Sequence, residues 1–187
     1  MIRTFALVAS SLILSFNANA FFKMNKKTDF EFYSKGAFIE AKGNLFGSKV
    51  IIPAKDDVYQ YSSYTPVNTF RNIVTAFTLN KKEWLKDNTL GNQKLFGRFY
   101  SNYQPLISIN PPHVYGYVIY QKYVILLIEQ RSLQNTRFIM ALEKDKNKQY
   151  KASLDFEVKH KTAYNVILDA FAGKGELKAI KNQKIRK

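Results

Sequence analysis

The chain has 187 residues, no cysteine and a formal net charge of +15 at neutral pH. Without cysteine, this chain cannot perform thiol catalysis, form a disulfide, bind metal through thiolates or carry a lipid on cysteine. Hydrophobic residues make up 46% of the sequence and aromatic residues 15%. This is enough apolar material for a packed core, so we expect a folded domain rather than intrinsic disorder.

The first twenty residues have the parts of a secretory signal peptide in their usual order. Arg3 supplies a positive charge, the stretch from Phe5 to Phe16 is mostly apolar, and Ala18 and Ala20 form the small-x-small pattern that signal peptidase cleaves. The apolar run is shorter than the roughly 20 residues that cross a bilayer. We therefore predict cleavage after Ala20, which gives a mature protein that acts in the periplasm or is secreted.

The region after the predicted signal peptide has strand-like patterns. Phe30 and Phe32 alternate with acidic residues, which is typical of an edge strand. Two short apolar segments, Ala37–Ala41 and Lys49–Ile52, flank glycine and asparagine residues at positions 43–47. Because glycine and asparagine favour turns, this arrangement predicts a hairpin with its turn at 43–47.

The clearest helix of the sequence begins at Thr65-Pro66. A threonine side chain can cap the first free amides, and proline at the first helical position sacrifices no hydrogen bond. Apolar residues then recur at helical spacing on one face, namely Val67, Phe70, Ile73, Val74 and Phe77. A second short helix is predicted over Lys81–Lys86. Residues 87–105 predict a loop, because they contain glycines and several asparagines.

The second half of the sequence predicts strands followed by a helix. A short strand is predicted at Leu106–Ile109, and the longer predicted strands are Val114–Tyr120, Tyr123–Glu129, Thr136–Leu142 and Tyr150–Val158. The last of these alternates apolar with polar residues, as in an antiparallel sheet with one buried face. Residues 162–172 predict a helix that ends at Gly173. Residues 176–187 are predicted to form a basic tail.

These elements predict a single α+β domain over residues 21–175. It would contain a curved antiparallel sheet packed against an N-terminal-side helix pair, with an extra N-terminal hairpin and a C-terminal helix. The segments Thr65–Phe70 and Asn80–Leu85, followed by long strands up to residue 158, resemble the nuclear transport factor-like superfamily, which includes ketosteroid isomerase-like proteins. The resemblance implies a cone-shaped sheet wrapped around helices. Enzymes of that superfamily use a pocket aspartate or histidine, and no position here matches such a motif.

The candidate binding residues are mainly cations and tyrosines. A strongly basic surface attracts polyanions, which outside the cytoplasm include lipid headgroups, lipopolysaccharide and acidic glycans, although the same charge also serves solubility. Tyrosine suits binding grooves but is also a common strand residue. Arg131 and Arg137 either pair with Glu129 across strands or line a polar pocket. The candidate binding residues are Tyr115, Tyr117, Arg131, Arg137, Lys178, Lys181, Lys184, Arg186 and Lys187.

Few residues suggest catalysis or metal binding. His113 follows two prolines, and His160 lies between two lysines that oppose its protonation. We predict no cofactor and no metal site. The leading hypothesis is an exported, non-catalytic binding or accessory module that engages a protein partner or an anionic cell-envelope component, with peripheral membrane contact. The secretory signal argues against a role with nucleic acid. The alternative is a small enzyme with a pocket inside a cone-shaped α+β fold.

Overall fold

The computed structural model describes residues 27–51, 63–108 and 110–180. The predicted signal peptide with its cleavage site at Ala18 and Ala20 lies outside these ranges, and so do the last seven residues of the chain. Among the described helices, none is long and apolar enough to span a membrane.

The described chain contains both strands and helices. Its strands are β1 (Thr28–Ser34), β2 (Ala37–Ile51), β3 (Thr89–Leu90), β4 (His113–Tyr120), β5 (Tyr123–Gln130), β6 (Thr136–Lys144), β7 (Tyr150–Ser153) and β8 (Glu176–Ile180). Its α-helices are α1 (Pro66–Thr78), α2 (Lys82–Asp87), α3 (Phe96–Ile107), α4 (Phe156–Lys159) and α5 (Lys161–Phe171). A 3₁₀ turn at Gln93–Leu95 leads into α3.

All eight strands belong to one curled, unclosed sheet with the order β3-β7-β6-β5-β4-β2-β1-β8. Every neighbouring pair is antiparallel except β3 with β7. The predicted fold class is confirmed, including the N-terminal hairpin and the C-terminal helix. The two ends of the described chain differ from the prediction. Glu176–Ile180 form strand β8 rather than the start of a tail, and β1 is therefore an inner strand, not an edge.

Helices cover both faces of the sheet and create two apolar clusters. Helices α1, α2 and α3 pack on one face, which we call the front face. Helices α4 and α5 pack on the opposite, rear face. Strand β5 lies between the two layers, and all eight of its residues are buried. Its continuous apolar run reflects this burial on two sides, since a strand with one wet face would alternate.

Helix α1 confirms its sequence prediction. The Thr65 side chain accepts a hydrogen bond from the Asn68 amide at 3.2 Å, and Pro66 occupies the first helical position. The predicted apolar face is buried, with Phe70 and Ile73 at most 1% exposed. This face supplies much of the front cluster.

Helix α3 replaces the loop predicted over residues 87–105. Phe96, Phe99, Tyr100 and Tyr103 follow one another at helical spacing, and their rings contact each other in sequence. This aromatic packing outweighs the poor helix propensity of Gly97 and Asn102, since tertiary contacts override propensity. Pro105 lies in the last turn, and the helix continues to Ile107. The strand predicted at Leu106–Ile109 was therefore wrong.

The N-terminal hairpin turns earlier than predicted. Lys35 and Gly36 form the turn with φ values of +50° and +76°, in the left-handed region that glycine adopts readily. Strand β2 then continues through positions 43–47, although its pairing with β4 becomes irregular between Leu45 and Val50. An ideal Cβ at Gly43 would lie 2.2 Å from the Tyr117 carbonyl oxygen. Glycine is needed at this position because β2 and β4 approach each other closely. It does not form a turn.

Strand β7 ends at Ser153, five residues before the predicted boundary at Val158. Its regular alternation is broken at Asp155, whose carboxylate accepts hydrogen bonds from the Asn92 amide at 2.8 Å and from the Lys159 ammonium at 2.7 Å. These bonds fix a turn, and Phe156–Lys159 then form α4. The alternating pattern alone did not predict that the hydrogen bonds of Asp155 would end the strand.

Tyr103 protects the part of β6 that extends past its pairing with β7. Its hydroxyl donates a 2.7 Å hydrogen bond to the Ile139 carbonyl oxygen, and burial raises its pKa well above the usual value. Replacing Tyr103 with phenylalanine should lower the free energy of unfolding by about 1–3 kcal/mol, because a buried carbonyl loses its donor. Urea denaturation measures the change.

Tyr100→Phe is the matched control for this variant. The Tyr100 hydroxyl binds the Asn80 side chain at 2.9 Å in an exposed setting, so water can replace the lost bond. We expect this control to change stability by about 0.5 kcal/mol or less. Equal losses in the two variants would contradict the role assigned to Tyr103.

Candidate functional site

A groove of about 410 Å³ opens on the front face of the sheet, beside the start of α1. We call it the basic groove. Its floor is formed by the sheet, and its walls come from the start of α1, the ends of β6 and β7 that meet there, and the segment before β1. The described lining residues are Lys27, Tyr64, Thr65, Pro66, Asn68, Tyr117, Ile119, Val124, Lys144 and Tyr150.

Buried hydrogen bonds join the two walls of the basic groove. The Tyr150 amide donates to the Ser63 carbonyl oxygen at 2.6 Å, and the Thr69 hydroxyl donates to the Tyr150 carbonyl oxygen at 2.9 Å. Ser63, Asn72 and Asn88 continue this network below the surface. The start of α1 is therefore fixed against β7, so the groove walls keep a defined separation.

The charged side chains that line the basic groove are both lysines. Lys144 is the cross-strand partner of Tyr150, and its ammonium lies 5.0 Å from the centre of the Tyr150 ring. Within the described part of the chain, neither Lys27 nor Lys144 forms an ion pair. Two cations that form no ion pair in the described chain contribute a positive potential, which favours an anionic ligand.

The Tyr117 phenol in the basic groove is neutral at physiological pH. Burial raises the pKa of Tyr117, and the nearby phenol of Tyr150 raises it further. Tyr64 stands at the rim with 61% of its surface exposed. An exposed tyrosine beside cations offers an apolar ring and a hydroxyl to a ligand.

The structure divides the predicted binding residues between the two faces of the sheet. Tyr117 lines the basic groove on the front face, whereas Tyr115 belongs to the rear cluster. Arg131 and Arg137 also lie away from the groove, beside Glu129. These four residues therefore do not form one site.

Glu129, Arg137 and Tyr115 form a compact polar cluster at the end of α5. The Glu129 side chain is 4% exposed; its Oε2 lies 3.3 Å from Arg137 Nε, and its Oε1 accepts a 2.9 Å hydrogen bond from the Tyr115 hydroxyl. Arg137 also donates to the Phe171 carbonyl oxygen at 2.8 Å. A cation at a helix C-terminus satisfies a free carbonyl and interacts favourably with the helix dipole. The cluster thus joins α5 to the sheet, and the cross-strand interpretation of these charges is the one the contacts support.

The remaining predicted binding residues do not join the basic groove. Lys178 lies in β8, pairs with Glu176 at 2.7 Å and sits over the Tyr33 ring at 4.9 Å. The other predicted cations, Lys181, Lys184, Arg186 and Lys187, lie outside the described residues.

The two histidines occupy different surroundings. His113 is the cross-strand partner of Glu129 at the start of β4. His160 packs among aromatic rings, with its ring centre 5.2 Å from that of Tyr123 and 5.4 Å from that of Phe156. Among the described residues, no group of three or more histidine, aspartate or glutamate side chains is arranged to hold a metal ion.

Asp155 gives the domain a defined response to acid. The hydrogen bond from Lys159, followed by that from the Asn92 amide, lowers its pKa below the ordinary value of 3.8. A carboxylate with a lowered folded-state pKa stabilises the fold above the unfolded-state pKa, and this stabilisation is lost as the pH falls through the folded-state pKa. Asp155→Asn should therefore be less stable than the wild type at pH 7, with a smaller difference at pH 3.

Urea unfolding at the two pH values tests this expectation. Asp87→Asn is the control, because Asp87 is exposed at the end of α2. Its stability should follow that of the wild type at both pH values. A difference between wild type and Asp155→Asn that stays constant from pH 7 to pH 3 would show that Asp155 acts without its charge.

Sequence reasoning missed four residues of the basic groove, namely Lys27, Tyr64, Lys144 and Tyr150. They are distant in sequence, and only the pairing of β6 with β7 beside α1 brings three of them together. The one available signal was the position of Tyr64 directly before the Thr65-Pro66 helix start, which places a tyrosine at a helix entrance.

No protein-family model, curated protein or solved structure matches this chain. The conclusions about its role therefore rest on its own residues and geometry.

Proposed function

We propose that this protein is an exported, non-catalytic binding module that engages an anionic component of the cell envelope. The observation that carries the proposal is the basic groove, in which two lysines without ion-pair partners in the described chain flank three tyrosines. The net charge of +15 supports it, because long-range attraction brings polyanions to such a surface. The signal-peptide pattern of the first twenty residues supports a role outside the cytoplasm.

The cations of the C-terminal segment add to this attraction. Lys181, Lys184, Arg186 and Lys187 follow strand β8 directly in sequence. Near an anionic membrane surface, each lysine or arginine contributes about 1 kcal/mol before screening. The groove would then select the ligand, while the segment would strengthen the encounter with the surface that displays it.

Binding of the mature protein to phosphatidylglycerol vesicles and to lipopolysaccharide tests the proposal. We expect binding to at least one of them at low salt and a steep loss as salt rises, because the Debye length falls from about 30 Å at 0.01 M to about 8 Å at physiological ionic strength. Neutral phosphatidylcholine vesicles should not bind. Co-sedimentation measures all three.

Two matched variants separate the groove from general charge. Lys27→Gln with Lys144→Gln removes both cations of the groove, whereas Lys94→Gln with Lys146→Gln removes two exposed cations outside it. The groove variant should bind more weakly than the control, although both have the same net charge. If the protein binds neither phosphatidylglycerol vesicles nor lipopolysaccharide at low salt, the proposed function is wrong.

A further inference from the structure

The size of the basic groove exceeds what a single inorganic anion requires. Its volume of about 410 Å³ lies in the range of about 300–1,000 Å³ that is usual for sites of small organic ligands. A phosphate or sulfate ion alone would leave most of this volume to water. The ligand should therefore carry its negative charge on a larger body.

The two lysines and the exposed ring of Tyr64 come from different elements of the groove lining. Lys144 lies at the end of β6 and Lys27 just before β1, and both line the groove, so each can offer an ammonium group to an anionic substituent. Tyr64, by contrast, presents an exposed ring at the entrance to α1. The basic groove thus combines two cations with an exposed aromatic ring.

The floor of the basic groove has an apolar part. Ile119 of β4 and Val124 of β5 are cross-strand partners, and both line the groove. A ligand that fills the space must then offer an apolar face to the floor and the ring, together with polar edges. A sugar ring has this character, because its C–H bonds form an apolar face and its hydroxyls lie around the edge. The negative face of an aromatic ring attracts the positively polarised C–H bonds of the sugar through its quadrupole.

A flat nucleobase would find one of the groove rings already covered. Base recognition by proteins uses open ring faces as stacking platforms. In the basic groove, the Lys144 ammonium already lies over the Tyr150 ring at 5.0 Å. Tyr64 therefore remains as the strongly exposed ring among the described lining residues.

We infer that the basic groove binds an anionic sugar, a monosaccharide unit that carries a carboxylate or a phosphate. This inference rests on the proposed function and names the ligand class of the same site. Lys27 and Lys144 would bind the anionic substituent, Tyr64 would pack against the sugar ring, and Ile119 and Val124 would form the floor beneath it. Such units occur in acidic glycans and in glycolipid headgroups, so either source could display the ligand.

Titration calorimetry at low salt with soluble probes tests the inference on the mature protein. Glucuronate and glucose 6-phosphate should bind at least tenfold more tightly than glucose, which lacks the charge, and than inorganic phosphate, which lacks the ring. Lys144→Gln and Tyr64→Ala should each weaken glucose 6-phosphate binding by about tenfold, equivalent to about 1.4 kcal/mol. The exposed control Lys146→Gln should bind like the wild type. Thermal melts of the three variants confirm that each is folded.

Four results would overturn the inference. They are equal affinity for inorganic phosphate and glucose 6-phosphate, tighter binding of adenosine monophosphate than of either sugar, an equal loss in Lys146→Gln and Lys144→Gln, and no binding of the sugar probes. If the sugars fail while the groove variant still weakens binding to vesicles or lipopolysaccharide, the proposed function stands and only the ligand class is wrong. If both assays fail, the proposed function is wrong as well.

Discussion

Replacing Phe70 with alanine should lower the free energy of unfolding by about 3–5 kcal/mol, the usual range for removing a buried phenylalanine. Phe70 is 1% exposed and lies at the centre of the α1 face that packs on the sheet. The lost ring would leave a cavity between α1 and the sheet, which cannot collapse without moving the capped helix. A urea melt with an unchanged slope and a lower midpoint measures the loss.

The matched control for this variant is Phe38→Ala. Phe38 is 44% exposed and stacks on Tyr33 at a ring distance of 4.9 Å, so its removal opens no cavity. We expect a loss of about 1 kcal/mol or less, the typical contribution of an aromatic pair. Comparable losses at Phe38 and Phe70 would show that α1 is peripheral to the core.

Replacing Arg137 with methionine should cause the second-largest loss in the free energy of unfolding, after Phe70→Ala. Glu129 is 3% exposed, and the variant removes the guanidinium 3.3 Å from its carboxylate as well as the donor to the end of α5. Breaking a fully buried pair costs roughly 3–5 kcal/mol. Because the Arg137 side chain is 38% exposed, we expect a smaller loss of about 2 kcal/mol.

Two further variants test whether the buried charge causes this loss. Arg131→Met should be milder, because Arg131 is 53% exposed and its Nε lies 3.8 Å from the Glu129 carboxylate. Adding Glu129→Leu to Arg137→Met should recover part of the stability, since an apolar pair can replace a buried ion pair. If the double variant is less stable than Arg137→Met alone, the carboxylate is not the cause of the loss.

Local signals in the sequence predicted the elements whose structure depends on local interactions. Helix α1 combines a side-chain cap, a proline at its first position and an apolar face, and all three agree with the structure. Strand β5 was similarly clear, because β-branched and aliphatic residues form a continuous run. In both cases, the local preference and the tertiary packing favour the same structure.

The errors occurred where a distant contact decided the local structure. Helix α3 depends on rings that pack along it and against Phe138 of β6, whereas Gly97 and Asn102 suggested a loop. Strand β8 forms because β1 offers it a partner from the other end of the chain, and its sequence alone suggested a basic tail. The basic groove escaped prediction for the same reason, since its walls meet only after the sheet is assembled.

The pairing of β1 with β8 also determines when the domain can finish folding. The first described strand pairs with the last described one, so the sheet cannot be completed until Glu176–Ile180 have been synthesised. Contacts between such distant segments carry a high loop-closure cost and slow the final folding step. In a chain whose first residues predict export, a late closing step leaves the precursor unfolded for longer during synthesis. The arrangement of the terminal strands would thus lengthen the time in which the chain can enter an export channel before its fold is complete.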